Sequence, residues 1–128
     1  MTTDLTMLVW SAVLTVALVL PYTTALALKL GLPVMVGNRD NFPTVGGWIG
    51  RSLRAHRNMV ENLVPFAALV LVAHVAGAAN QATALGATIF FWARVVYAGV
   101  YIAGIPWLRT LVWTVSIIGE VIILTQLL

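Results

Sequence analysis

The stretch Arg54-Ala-His-Arg57-Asn58-Met-Val-Glu61-Asn-Leu-Val-Pro65-Phe66 carries polar side chains directly into an apolar run. On a helix that advances about 100° per residue, positions 54, 57, 58 and 61 fall within one stripe. Ionisable groups are costly inside a membrane, so they tend to face a bundle interior or a wet cavity and to mark a functional site. This stretch therefore predicts a membrane helix with one functional polar face.

Composition places the chain among integral membrane proteins. Of its 128 residues, 61% are hydrophobic and only 9% are charged, and its mean hydropathy is +0.99. A membrane-spanning helix needs about 20 apolar residues, and four apolar runs cover residues 5–30, 48–75, 82–103 and 107–128. We predict an all-α, integral membrane four-helix bundle that forms one domain over residues 1–128. The basic residues are then topology determinants, and no nucleic-acid partner is expected.

Proline and glycine mark the connections between these runs. Pro21 lies inside the first run and is expected to kink it. The segment 31–47 contains several Gly and Pro residues that forbid a continuous helix, and Gly104-Ile-Pro106 separates the last two runs. Small residues such as Gly99 and Gly119 would allow close helix packing.

Basic residues predict the orientation of the chain in the membrane. Six of them flank the first and third loops, whereas the termini and the second loop carry none: Lys29, Arg39, Arg51, Arg54, Arg57 and Arg109. The positive-inside rule places loops 31–47 and 104–108 in the cytoplasm and both termini on the periplasmic side of a bacterial inner membrane. Lys29, Arg51 and His56 are expected to contact the membrane interface.

Further polar residues lie deep in the third and fourth spans. Arg94 lies about 15 Å from the end of its helix at 1.5 Å per residue, with Tyr97 and Tyr101 on the same face. An arginine at that depth should have a carboxylate partner, for which Glu61 is favoured over Glu120. A role in fixing the register of the helices explains the pair of Arg94 and Glu61 at least as well as a direct chemical role does. Interhelical hydrogen bonding is the corresponding alternative for the two tyrosines.

The chemistry of these side chains limits the ligands that they could bind. The guanidinium groups of Arg54, Arg57 and Arg109 suit carboxylates. Glu61 can accept from an ammonium group, and Asn58 can donate and accept. Glutathione fits this description, and a lipid headgroup or an anionic metabolite fits it equally. The sequence contains no metal-ligand spacing and no cysteine.

Two motifs resemble the MAPEG family, the membrane-associated proteins in eicosanoid and glutathione metabolism. One is residues 51–66, and the other is Ala93-Arg94-Val-Val-Tyr97-Ala-Gly-Val-Tyr101. The resemblance implies a homotrimer with glutathione bound as co-substrate between subunits near the cytoplasmic face. The positions that match glutathione-binding or ligand-lining residues are Arg54, Arg57, Asn58, Glu61, Arg94, Tyr97 and Tyr101. Arg109 is similar to the arginine that stabilises the glutathione thiolate and is the candidate catalytic residue.

The resemblance to the eicosanoid-forming members is incomplete. Trp113 replaces a tyrosine of the prostaglandin E synthases, and the spacing from Tyr101 to Arg109 differs. We therefore expect a membrane-bound glutathione transferase or peroxidase acting on small lipophilic electrophiles or hydroperoxides, in contact with membrane lipids. The alternative is a non-catalytic trimeric membrane protein that binds a lipid or an anionic ligand.

Overall fold

The computed structural model describes residues 1–128, and all of its regular secondary structure is helical. The helices are α1 (Thr3–Ala17), α2 (Val19–Leu30), α3 (Leu32–Val36), α4 (Gly47–Val75), α5 (Gln81–Ala103) and α6 (Pro106–Thr125). Four helical segments are long and apolar enough to cross a membrane: α1 together with α2, and each of α4, α5 and α6. The all-α class and the four predicted spans are confirmed, with helix ends within a few residues of those expected.

The first span is interrupted where the sequence predicts a proline kink. α1 ends at Ala17, four residues before Pro21, and α2 begins after the single residue Leu18. Pro21 has no N–H to donate to the Ala17 carbonyl, and its ring crowds that same group. The position of the break therefore follows from the position of the proline.

The connection from α2 to α4 contains one short helix that the sequence did not predict. Gly31 ends α2 at φ +86°, a conformation that favours glycine. α3 follows, and the Arg39 side chain donates from Nε and Nη2 to the Met35 carbonyl at 2.9 and 2.7 Å. Residues 37–46 contain no helix, so the expectation that no continuous helix covers this segment is confirmed.

Local sequence defines both ends of α5. Asn80 Oδ1 accepts from the backbone N–H groups of Ala82 and Thr83, and Thr83 Oγ1 accepts from the Asn80 N–H. This capping box satisfies donors that the first turn leaves free. At the other end Gly104 adopts φ +84°, and Pro106 opens α6 immediately afterwards. The last turn of α5 and the first turn of α6 therefore lie side by side.

Glycines bring α5 and α6 into close contact. A Cβ added at Gly119 would lie 2.6 Å from the Gly86 carbonyl oxygen, and one added at Gly86 would lie 2.5 Å from the Gly119 oxygen. Gly119 therefore has the packing role expected of it. Gly99 has no atom of its own chain within 4 Å of such a Cβ, so it has no such role within the subunit.

Aromatic packing joins α4 to α5 in the apolar core. Phe66 and Phe90 are fully buried, and their rings stack with centroids 3.8 Å apart and planes 12° apart. Antiparallel α4 and α5 therefore have a fixed register, which brings residues 54–61 of α4 alongside residues 94–101 of α5. Between this core and the end of the bundle that carries Arg54, the three helices α4, α5 and α6 leave a polar pocket.

Candidate functional site

A polar pocket of about 370 Å³ opens between α4, the second half of α5 and the start of α6. Seven residues line it: Arg54, Arg57, Asn58, Glu61, Tyr97, Tyr101 and Arg109. All seven are among the ligand residues expected from the sequence, and the fold brings them together from three helices. The eighth expected residue, Arg94, does not line the pocket and lies buried beside it.

α4 supplies the charged rim of the pocket. Arg54, Arg57 and Glu61 are exposed, whereas Asn58 is partly buried between them. This pattern follows from their spacing, since i, i+3, i+4 and i+7 lie on one face of an uninterrupted helix. The rim therefore presents two guanidinium groups and one carboxylate to anything that enters the pocket.

Tyr101 links the three helices at the mouth of the pocket. Arg54 Nε donates to the Tyr101 hydroxyl at 3.2 Å, and Arg109 Cζ lies 4.6 Å from the centre of the Tyr101 ring. Tyr97 meets the same ring edge-on, with centroids 5.6 Å apart. Both arginines are thus packed against one aromatic side chain, which restricts the positions of their guanidinium groups.

The expected ion pair between Arg94 and Glu61 is not present. Arg94 is only 1% exposed, and its Nη2 donates to Asn58 Oδ1 at 2.6 Å, while its guanidinium lies over the Tyr97 ring at 4.1 Å. Glu61 is exposed at the pocket rim instead. The prediction was wrong because it considered only carboxylates, whereas the amide oxygen of Asn58 faces α5 and reaches Arg94 first.

Asn62 supports the pocket and was missed by sequence reasoning. Its Nδ2 donates to the Asn58 carbonyl at 2.8 Å and to Asn58 Oδ1 at 3.2 Å. The available signal was the i, i+4 spacing of two amides, a spacing that lets such side chains meet on a helix. Asn58 Oδ1 therefore has two donors, one from its own helix and one from α5.

A second cavity of about 170 Å³ continues from the pocket along α6. It shares Asn58, Tyr97 and Arg109 with the larger pocket, and adds Thr110 and Trp113. Thr110 and Trp113 were not expected to be site residues. The spacing of Trp113 from Arg109, at i+4, was a signal that places both on one face of α6, whereas Thr110 at i+1 gave no such signal. Trp113 adds an indole side chain to the wall of this extension.

Two residues expected at the membrane interface also make specific contacts within the chain. Arg51 Nε donates to the Ile102 carbonyl at 2.9 Å, near the end of α5, where a cation also suits the helix dipole. His56 Nδ1 lies 3.0 Å from the Tyr22 hydroxyl, a hydrogen bond that joins α4 to α2. Both contacts depend on tertiary packing that sequence periodicity does not report.

The charge of the pocket determines what it can bind. Three guanidinium groups and one carboxylate line it, so its formal charge is positive, and the tyrosines add two hydroxyl groups. Such a lining favours a ligand with more than one anionic group. The single carboxylate, Glu61, provides a place for one cationic group of the same ligand.

The fold and the site together define an integral membrane protein of four helical spans with a basic, tyrosine-lined pocket between three of them. The chain belongs to the MAPEG family, since the model of that family matches residues 5–128. It is therefore a membrane protein of the glutathione and eicosanoid metabolism type. No curated protein and no solved structure matches the chain.

Proposed function

We propose that the protein binds glutathione in the pocket between α4, α5 and α6 and uses its thiolate against small lipophilic electrophiles or hydroperoxides. The observation that carries this proposal is the meeting of seven residues from three helices in one pocket. The same residues are those that side-chain chemistry and the family resemblance indicate in the sequence. Membership of a family associated with glutathione supports the same ligand.

The pocket offers a partner for each polar part of glutathione. Arg54 and Arg57 at the rim suit its two carboxylates, because a guanidinium can bind a carboxylate with two parallel hydrogen bonds. Glu61 suits the ammonium group, and Asn58 suits a peptide group. These pairings leave Arg109 and the tyrosines for the remainder of the ligand.

In this proposal Arg109 stabilises the glutathione thiolate. A nearby guanidinium favours the ionised form of a thiol, and the thiolate is the nucleophile. With a haloarene, the sulfur forms a bond to carbon, the halide leaves with the bonding electron pair, and the thiol proton passes to solvent. With a hydroperoxide, the thiolate sulfur bonds to the terminal oxygen, the O–O bond breaks to give a sulfenic acid, and the alkoxide leaves and takes a proton from solvent. A second glutathione thiol then reacts with the sulfenic acid to give the disulfide and water.

Exposure of the rim charges supports a homotrimer. Glu61 lies about 21 Å from the start of α4 at 1.5 Å per residue, yet it is exposed on the surface of the subunit. A charge at that depth is costly in contact with acyl chains, so we expect a neighbouring subunit to cover this face. Family members are generally trimers. The protein mass of the detergent-solubilised particle tests this assembly, with three times 13.8 kDa as the expected value.

Glutathione binding by the purified protein in detergent tests the function. We expect wild-type protein to bind glutathione by calorimetry and to conjugate it to chlorodinitrobenzene. Arg54→Ala should weaken binding by about tenfold or more, since a charge-assisted hydrogen bond contributes about 1.5–3 kcal/mol. Lys29→Ala is the matched control, because Lys29 is an exposed cation outside the pocket and its loss should leave binding unchanged.

Two results would contradict the proposal. Wild-type protein that neither binds glutathione nor is stabilised by it against heat would favour the lipid or anionic-ligand alternative. Equal losses of binding in Arg54→Ala and Lys29→Ala would indicate a general effect of net charge. Glutathione binding would then not depend on the pocket.

A further inference from the structure

A chain of three buried or partly buried polar side chains passes beneath the pocket, one from each of its helices. Asn58 comes from α4, Arg94 from α5 and Glu120 from α6, and the last two are 1% and 8% exposed. A buried charge without compensation is strongly destabilising. The presence of two opposite charges in the same interior region therefore needs an explanation.

The hydrogen bonds of Arg94 are incomplete on the side away from Asn58. Its Nη2 donates to Asn58 Oδ1, but its buried Nε and Nη1 have no partner, and neither does the buried Oε1 of Glu120. Arg94 and Glu120 are buried, and they lie on the two helices that meet at Gly86 and Gly119. Two buried donors of a cation and one buried acceptor of a carboxylate thus lack partners at the contact between these helices.

Helix geometry directs the two side chains toward each other. α5 and α6 are antiparallel and touch at Gly86 and Gly119. Side chains tilt toward the N-terminus of their own helix, so Arg94 extends toward the level of Gly119 while Glu120 extends toward the level of Arg94.

Arg94 also determines which end of the Asn58 amide faces the pocket. A guanidinium has donors and no acceptor, so the Asn58 atom 2.6 Å from Arg94 Nη2 must be the oxygen. Asn62 Nδ2 donates to the same oxygen. With Oδ1 turned to these two donors, the amide N–H groups of Asn58 are left for the cavities that Asn58 lines.

We propose that Glu120 is the counter-ion of Arg94 and that, through Arg94, it holds Asn58 with its amide N–H groups directed at a carbonyl or carboxylate oxygen of the bound thiol ligand. Arg94 and Glu120 are then positioning residues, and Asn58 makes the contact. The second part of this inference rests on glutathione as the ligand. The first part, the pairing of Glu120 with Arg94, does not.

Thermal unfolding tests the pairing without any ligand. We expect Glu120→Leu to lower the unfolding temperature by several degrees, because it leaves the Arg94 charge uncompensated. The double variant Arg94→Leu/Glu120→Leu should unfold at a higher temperature than Glu120→Leu alone. Additive losses in the double variant would overturn the pairing, as would an unchanged unfolding temperature in Glu120→Leu.

Glutathione binding tests the positioning of Asn58. The nearly isosteric Glu120→Gln should weaken glutathione binding about tenfold and raise KM with kcat nearly unchanged. In an Asn58→Ala background the same change should have no further effect, since it acts through Asn58. Ser116→Ala is the matched control, because Ser116 is a buried polar residue of α6 that bonds only to the Trp113 carbonyl of its own helix.

The outcomes separate this inference from the proposed function. If wild-type protein binds no glutathione, the proposed function fails, and the positioning of Asn58 toward that ligand fails with it, while the unfolding comparison still decides the pairing. If wild-type protein binds glutathione but Glu120→Gln weakens binding equally with and without Asn58, the positioning role is wrong and the proposed function stands.

Discussion

Tyr101 shows how one side chain can organise a charged site inside a membrane protein. It accepts a hydrogen bond from Arg54 and lies under the guanidinium of Arg109, so two like charges are held near each other by a neutral aromatic group. Long arginine side chains lose much rotamer freedom when they are ordered. Contacts that order them before the ligand arrives reduce that cost at binding.

Arg109 is the residue whose replacement should separate chemistry from binding. We expect Arg109→Ala to lower the conjugation rate at saturating glutathione by about a hundredfold, the loss typical of one preorganised electrostatic group. Glutathione affinity should fall much less, because the two arginines of α4 that we propose for its carboxylates remain. The ultraviolet absorbance of the bound thiolate should decrease in parallel with the rate.

Arg109→Lys is the companion variant, since it keeps the cation and loses the planar fork. It should recover part of the thiolate absorbance and part of the rate. A fully active Arg109→Ala protein would show that another group stabilises the thiolate, and Arg109 would then be only part of the pocket wall.

The residues that line the pocket could be predicted from the sequence, but the partners of their side chains could not. Helical spacing placed Arg54, Asn58 and Glu61 on one face, and the structure has them there. To predict the partner of Arg94, one must know which side of α4 faces α5. A small rotation of α4 decides whether Asn58 or Glu61 lies closer to Arg94. The same limit explains why the contact between His56 and Tyr22 was not foreseen.

At the scale of helices, the contact between α5 and α6 depends on two glycines. Gly119→Ala would place a Cβ 2.6 Å from the Gly86 carbonyl oxygen and 2.9 Å from the Phe90 backbone nitrogen. Backbone atoms cannot turn aside as a flexible side chain can, so the helices must separate. We expect a loss of about 1–3 kcal/mol, the usual cost of overpacking, seen as a lower unfolding temperature in detergent.

Gly99→Ala provides the control for this substitution. Gly99 lies within α5, and a Cβ there meets nothing of its own chain within 4 Å. Alanine is favoured over glycine in a helix by about 1 kcal/mol, so stability should be unchanged or higher. Equal losses in the two variants would show that helix propensity or trimer contacts, and not the approach of α5 to α6, determine the response at Gly119.

Helix boundaries were predictable because they depend on local physics. Pro21, Gly104 and Pro106 act through their own backbone geometry, and the observed breaks lie beside them. α3 was not predicted because it contains only five residues between glycines. Its last turn is closed by the Arg39 side chain, an interaction for which hydrophobic periodicity gives no signal.

Across the whole molecule, charge is strongly asymmetric. The arginines of the pocket lie toward the end of the bundle that contains the connections 31–46 and 104–105. The opposite end contains the buried carboxylate of Asp4, whose Oδ2 accepts from Thr83 Oγ1 at 3.1 Å. Basic residues concentrated at one end both orient the chain and favour anionic ligands at that side.

Single-cysteine labelling tests the orientation that this asymmetry predicts. The chain contains no cysteine, so Asn41→Cys and Leu128→Cys each introduce the only thiol, both at exposed positions. In intact spheroplasts, a membrane-impermeant maleimide should label Leu128→Cys and should label Asn41→Cys only after permeabilisation. Wild-type protein, which has no thiol, gives the background. Labelling of Asn41→Cys in intact spheroplasts would place the arginine-rich end outside the cell, away from the cytoplasmic pool of glutathione. The proposed co-substrate would then be wrong, and the pocket would need a ligand that is available at the outer face.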